Sequence, residues 1–313
     1  MTNKKIKTIF LGTPDFAIPG LKAILNDERF EVILIITQPD KKVGRSQELS
    51  PPPVKLMAQE YKIPVIQPHK ITAIKEKISS LKPDLAVLIA YGQIISEEIL
   101  NIPKFGFINV HASLLPKCRG AACIQGTILD GDKTTGVTII KLDQGLDTGP
   151  ILKQVEIKIE PEDTATSMHE KLAILSSQIL GDALSDYVQG KITPKPQTQS
   201  GKSYVKTLKK EDGKINWLHS AIRIERQIRA LNPWPGTFTS WQGKNLKILS
   251  VSNEILDINK HKIGKVFLHN NQPSIQTGNK ALIINSLQLE GKKPVLAKDF
   301  IRGNKNFVGT ILG

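Results

Sequence analysis

Two cysteines in 313 residues, Cys118 and Cys123, are too few for a disulfide framework. With no CxxC partner and no paired His they offer no zinc site either, so reduced thiols in a cytoplasmic protein are expected. No apolar run approaches the roughly 20 residues that a bilayer requires, which excludes a helical membrane span. The lysine-led run from Met1 is cut by Gly12-Thr-Pro-Asp15, too soon for a signal peptide. That glycine turn is not GxGxxG, so a dinucleotide site has little support. Acidic residues are scarce in the last third: residues 201–313 hold 7 Asp+Glu against 19 Lys+Arg, a balance of +12.

The whole chain carries +14, so almost all of the excess lies in that last third. A general lysine enrichment would spread along the chain. A local one reads as a surface facing a polyanion. The length leaves room for two domains and a sizeable core.

The order of elements predicts an α/β fold. A β-branched strand over Ile6–Leu11 leads through the glycine turn into a helix near Ala17–Leu25, and a second strand spans Val32–Ile36. Thr37–Ser50 then reads as an exposed loop, polar and Pro/Gly-rich, with Lys41, Lys42 and Arg45 as its cations. Helical patterning follows at Val54–Glu60 and Ile71–Leu81. The apolar run 84–95 reads as a central parallel strand opening at Tyr91-Gly92 into a loop with Ile94 and Ile95. Further strands are expected at 105–111, Gly136–Lys141 and Ile151–Ile159, with a helix from near Gly120 to Gly131. Ser167-Met-His-Glu170 is a capping-box pattern opening another helix, with His169 facing solvent and given no role. Residues 190–207, polar and twice prolyl, read as a linker. Beyond it a helix at Ala221–Leu231 gathers Arg223, Arg226 and Arg229 on one side, and Asn232-Pro-Trp-Pro-Gly236 stops it. Short strands near 246–251, 263–268, 281–287 and on to Phe300 suggest a small OB-like barrel.

The chemistry concentrates between Phe105 and Pro150. Asn109 and His111 are two apart on a strand, so their side chains share one side, near the C-terminal end where ligands bind in open α/β sheets. Asp147 follows in a Gly-rich loop. Neutral imidazole takes a proton at pH 7, and a nearby carboxylate steadies imidazolium. A carboxamide donates to an oxyanion without titrating. No Ser or Cys stands out as a nucleophile, so direct transfer of an acyl-type group to an amine fits better than a covalent intermediate. Taken singly, a strand His is more often structural, and Asn109 or Asp147 serves equally as a cap or turn residue. Spacing alone leaves both readings open.

Asn109-Val-His111-Ala-Ser113-Leu114-Leu115-Pro116, Arg119-Gly-Ala-Ala and Gly145-Leu-Asp147-Thr-Gly-Pro resemble the signature of the folate-dependent formyltransferases, closest to the branch acting on methionyl-tRNA. The likeness extends to Gly12-Thr-Pro-Asp-Phe-Ala, Asn232-Pro-Trp-Pro-Gly and Glu290-Gly-Lys-Lys-Pro, and so covers essentially the whole chain. Departures at Ala112, Cys118, Cys123 and Gly126 remove no catalytic group. The resemblance implies a Rossmann-like parallel-sheet catalytic domain (1–189), a linker (190–207) and a basic OB-like tRNA-binding domain (208–313). It implies that Asn109, His111 and Asp147 form the catalytic trio. It assigns 10-formyltetrahydrofolate to Tyr91, Gly92, Ile94, Ile95, Ser113, Leu114, Leu115, Pro116, Asp143 and Gly145, and tRNA to Lys41, Lys42, Arg45, Arg223, Arg226 and Arg229. Formyl transfer to the methionine amino group on initiator methionyl-tRNA, by a monomer without a metal, is the expected activity.

Two other readings compete. The same chemistry could serve a small amine, but such a substrate needs neither the cationic tail nor the basic loop. A non-catalytic RNA-binding module would bind tRNA without formyl transfer and without sensitivity to Asn109→Ala.

Overall fold

The structure, a computed structural model, describes residues 4–43 and 47–313; Arg45 therefore lies outside the described residues. Spatial proximity divides the chain into two units. The first holds the chain up to Gly120 with Thr135–Ile157 and His169–Val205; the second holds Ala121–Thr134, Lys158–Met168 and Lys206–Gly313.

Apolar, β-branched segments build the sheet of the first unit. Its strands β1 (Ile6–Gly12), β2 (Phe30–Ile36), β5 (Val65–Ile66), β6 (Leu85–Ile89), β7 (Phe107–His111), β8 (Thr134–Lys141) and β9 (Ile151–Lys158) run in the order β5-β2-β1-β6-β7-β8-β9. Pairing is parallel from β5 to β7 and antiparallel between β7 and β8. The chain leaves β1 toward β2 on one side and returns to β6 on the other, the reversal that opens a crevice beyond the strands' carboxyl ends. Ile9, Leu11, Leu34, Ile36, Ile78, Ala86, Ile99 and Phe107 form a core with helices α3 (Lys75–Leu81) and α4 (Glu97–Leu100), while Gly20 of α1 (Ala17–Leu25) lies against Ile89 of β6.

Several elements differ from the sequence expectation. Residues expected as one loop pair as a hairpin, β3 (Lys41–Val43) against β4 (Glu48–Ser50), because strand pairing satisfies backbone groups that polar side chains leave open. Its base is anchored where Asp40 accepts from Lys55 Nζ at 2.8 Å and from Gln67 Nε2 at 2.7 Å, with Lys55 on α2 (Pro53–Glu60). The helix expected over Ile71–Leu81 begins as a 3₁₀ turn over Ile71–Ile74, where β-branched residues crowd an α-turn. The cap of α6 (Ala165–Val188) lies earlier than Ser167–Glu170: the Thr164 and Ser167 hydroxyls accept each other's backbone N–H at 3.2 and 3.0 Å. His169 faces solvent only in part: it is half-buried, its ring edge-on to Phe16 at 5.1 Å.

In the second unit an antiparallel sheet runs β10-β11-β14-β13-β12, with β15 beside β14. Its strands are β10 (Thr237–Trp241), β11 (Lys244–Leu256), β12 (Val266–His269), β13 (Gln272–Gln276), β14 (Ala281–Leu289) and β15 (Val295–Leu296). β13 was not foreseen, since Pro273 and flanking amides hide a strand. Register shifts along β11 let one 13-residue strand bend. Inside, Ile224 and Ile228 of α7 (Ala221–Leu231) join Trp217, Leu246 and Ile275. Trp241, Phe300 and Phe307 meet edge-to-face at 5.1–5.5 Å, Phe300 being on α8 (Ala297–Gly303). Helix α5 (Cys123–Asp130), closed by Gly131 in the left-handed region, packs on α7.

Candidate active site

All five residues of β7 are buried, between β6 (Leu88 opposite Asn109) and β8 (Thr138 opposite His111). Period-two alternation puts the Asn109 and His111 side chains on one side. Asp147 meets them there: its Oδ1 is 3.5 Å from Asn109 Nδ2 and 3.6 Å from His111 Nδ1, while its Oδ2 accepts the Gly120 N–H at 2.8 Å. His111 Nε2 lies 3.0 Å from the Cys118 carbonyl. A carbonyl only accepts, so Nε2 carries a hydrogen toward Cys118; a carboxylate also only accepts, so Nδ1 gains a favourable partner in Asp147 when it takes up a proton. The three groups expected to converge do so.

Beside them is a cavity of about 150 Å³. Leu88, Ile94, Ile95, Leu100 and Leu142 give it apolar walls, Asn109 and Asp147 a polar end, and Gln93 and Asp143–Leu146 the rest of its lining. Ile94 is 87% exposed and Leu146 56%, two aliphatic side chains left in water at its rim. Asp143 braces the loop by accepting the Gly145 N–H at 3.0 Å and the Thr148 hydroxyl at 2.6 Å.

Of the residues assigned to the donor, Ile94, Ile95, Asp143 and Gly145 line this cavity; Tyr91, Gly92, Ser113, Leu114, Leu115 and Pro116 do not. The Tyr91 ring is core, burial pushes its phenol up to about 12, and its carbonyl accepts from Thr13 and Gln38. Ser113 is buried and donates to the Lys117 carbonyl at 2.7 Å, while the Leu115 N–H donates to Thr138 Oγ1 at 3.1 Å. These contacts shape the loop after β7. Leu88, Gln93, Leu100 and Leu142 were missed, because in sequence the leucines look like any core residue.

A second set of contacts comes from residues 195–205. Gln197 Nε2 donates to the carbonyls of Asp147 and Gly149, both at 2.8 Å, and its Oε1 accepts from Arg119 Nη2 at 2.7 Å. Ser203 Oγ accepts the Cys118 N–H at 2.9 Å. Nothing in a polar, prolyl stretch signals such anchoring.

The cations assigned to tRNA are not equivalent. Lys41 and Lys42 are exposed on β3, and Arg223 is exposed on α7. Arg226 donates to the Asp130 carbonyl at 3.3 Å. Arg229, 17% exposed, pairs with Glu225 and donates to the Asp163 carbonyl at 2.6 Å, so helical spacing identified the face but not the pairing.

The family model described as formyl transferase matches residues 4–184, and that of the formyl transferase C-terminal domain matches 207–305. The methionyl-tRNA formyltransferase of Bacillus pumilus is 40% identical over 311 residues, 98% of either chain. That of Thermodesulfovibrio yellowstonii is 43% identical over 299 residues, 95% of this chain and 96% of its own. Among solved structures, the N-formyltransferase from Helicobacter canadensis in complex with folinic acid and dTDP-3-aminofucose covers 89% of this chain and 99% of its own, with a TM-score of 0.69 and 22% identity. That likeness speaks for the fold; the two models and the full-length relatives speak for descent. With both parts matched and the Asn–His–Asp cluster at the sheet's mouth, the chain belongs to the formyl transferase family.

Proposed function

We propose that the chain transfers a formyl group from 10-formyltetrahydrofolate to the α-amino group of methionine on initiator methionyl-tRNA, for the start of protein synthesis. The observation that carries this is the meeting of Asn109, His111 and Asp147 at the polar end of an apolar cavity, in a chain 40% identical to methionyl-tRNA formyltransferases along its whole length. The cavity's residues fit a flat heterocycle: aliphatic walls cover its faces, and Asn109 and Asp147 present polar groups at one end. Bound there, the folate would supply the activated one-carbon unit.

Asn109 Nδ2 donates to the formyl oxygen as charge builds on it, and does so at any pH because a carboxamide does not titrate. A free α-amino group, with a pKa of about 7.7–8.0, is partly neutral near pH 7 and able to attack. His111 Nδ1, held toward the trio because Nε2–H is bound to the Cys118 carbonyl, takes the proton that the amine sheds and returns it to the departing nitrogen. Asp147 stabilises the imidazolium in between. Ile94 and Leu146 shed water when a ligand covers them.

In this reading residues 1–189 are the catalytic domain, 190–207 the linker and 208–313 the tRNA-binding domain, and the protein works as a cytoplasmic monomer. No helix among the described residues is long and apolar enough to cross a membrane. Labelled donor offered with methionyl-tRNA, uncharged tRNA and free methionine tests the proposal. Label should reach methionyl-tRNA alone. Equal labelling of free methionine would point instead to a small-amine substrate, and none at all to a binding module.

A further inference from the structure

Arg119 is 3% exposed, and among the described residues no carboxylate lies within ion-pair distance of it. Burying a guanidinium without a counter-charge is costly. Here the cation is held by neutral groups: Gln197 Oε1 accepts from its Nε at 3.2 Å and its Nη2 at 2.7 Å, the Tyr204 hydroxyl accepts from Nη1 at 2.9 Å, and the Tyr204 ring lies 5.6 Å away. Gln197 spends its two amide hydrogens on the carbonyls of Asp147 and Gly149. Arg119 thus grips an amide whose other end grips the loop of the trio's acid.

The same segment reaches the trio's base. The Cys118 carbonyl meets His111 Nε2, and the Cys118 N–H is held by Ser203 Oγ. Cys118 and Asp147 are both non-glycine residues in the left-handed region, with φ of 56° and 53°. Such backbone persists only where surrounding contacts over-determine it. Both are braced from residues 195–205, which are themselves tied down at Lys195 to Ile151 and at Ser203 and Val205 to Arg119.

We propose that residues 195–205 are a strap carrying two positioning residues: Gln197, which fixes the Asp147 loop, and Ser203, which through Cys118 sets the tautomer and aim of His111. The inference rests on the proposed formyl transfer for its kinetics but not for its spectroscopy.

The test compares the full-length wild type with Gln197→Glu, Ser203→Ala and Ser203→Thr. It measures melting temperature, kcat and KM for both substrates, and the ¹⁵N resonances of the His111 ring across pH without donor. Gln197→Glu places a carboxylate beside Arg119, which offsets part of the cost of losing both donors to the Asp147 loop. We expect its kcat to fall about 10²-fold, as for a misplacement of about an ångström, with KM little changed. Ser203→Ala should mix the His111 tautomers and move the ring's titration, and Ser203→Thr, keeping the hydroxyl, should restore both. The proposal is overturned if kcat falls only in step with melting temperature, or if the His111 resonances ignore Ser203→Ala. Inactive wild type whose His111 still responds would refute the reaction and leave the strap standing; active wild type with indifferent variants would refute the strap.

Discussion

Asn109 and His111 sit two residues apart, yet a change of pH reaches them differently. An amide donor that never titrates should contribute equally across the pH range. Asn109→Ala should therefore lower kcat by about 10²–10³-fold, as loss of one oxyanion donor does, without changing the shape of the pH–rate profile. His111→Ala should remove the limb of that profile that a proton-transferring imidazole creates, which steady-state rates from pH 5 to 9 would reveal. Gly120 makes a different demand. Its φ is 104°, and a Cβ there would stand 2.4 Å from the Val205 carbonyl oxygen. Gly120→Ala should cost about 1–3 kcal/mol, seen as a lowered denaturation midpoint. At this scale legibility follows distance along the chain. Strand periodicity, which is local, put Asn109 and His111 on one side, while their grouping with Asp147 came from the resemblance to a known signature. Gln197 and Ser203 act on residues 50 and 85 positions away, beyond the reach of any local pattern.

Elements carry charge in ways that a count does not reveal. In the turn between α1 and β2, Arg29 bonds Asp27 and reaches Asp182 on α6 at 2.9 Å. The hydrogen bond from Arg29 holds the Asp27 carboxyl below its ordinary value. A depressed native pKa stabilises the fold above the unfolded value, about 3.9, and that stabilisation disappears as pH falls through the native value. Asp27→Asn should lower stability at pH 7 by no more than about 1 kcal/mol, since Arg29 is 43% exposed. It should also flatten the acid side of a melting-temperature curve between pH 5 and 2. On the β3–β4 hairpin, Lys41 and Lys42 project into solvent above the Asp40–Lys55–Gln67 anchor. If each neutralises one phosphate, replacing both with Ala should reduce the slope of log K against log salt for tRNA by about 2. Six of the eight described helices and most strands were legible from periodicity; α4 was not, being a single turn, and the segment expected to run as strand to Phe300 instead passes from β15 into α8 at Ala297. The hairpin was not legible either, because its strands are three residues each and pair with one another and not with an apolar core.

For the molecule as a whole, the charge asymmetry was legible by counting, and the packing of α5 on α7 was not. Sequence order suggests that everything before the prolyl stretch belongs to one body. Contacts instead group Ala121–Thr134 with the C-terminal unit, where α5 packs on α7. A fragment Lys206–Gly313 would thus lack the cover of one face of α7. It should bind a hydrophobic dye and unfold at lower denaturant than the same unit in the intact chain. This interleaving bears on how such a protein can be re-engineered or can evolve. A cationic module appended by one crossover in the gene would arrive without the helix that shelters it. Exchange of the C-terminal part between relatives together with Ala121–Thr134 therefore needs three coordinated breakpoints, before Ala121, after Thr134 and before Lys206.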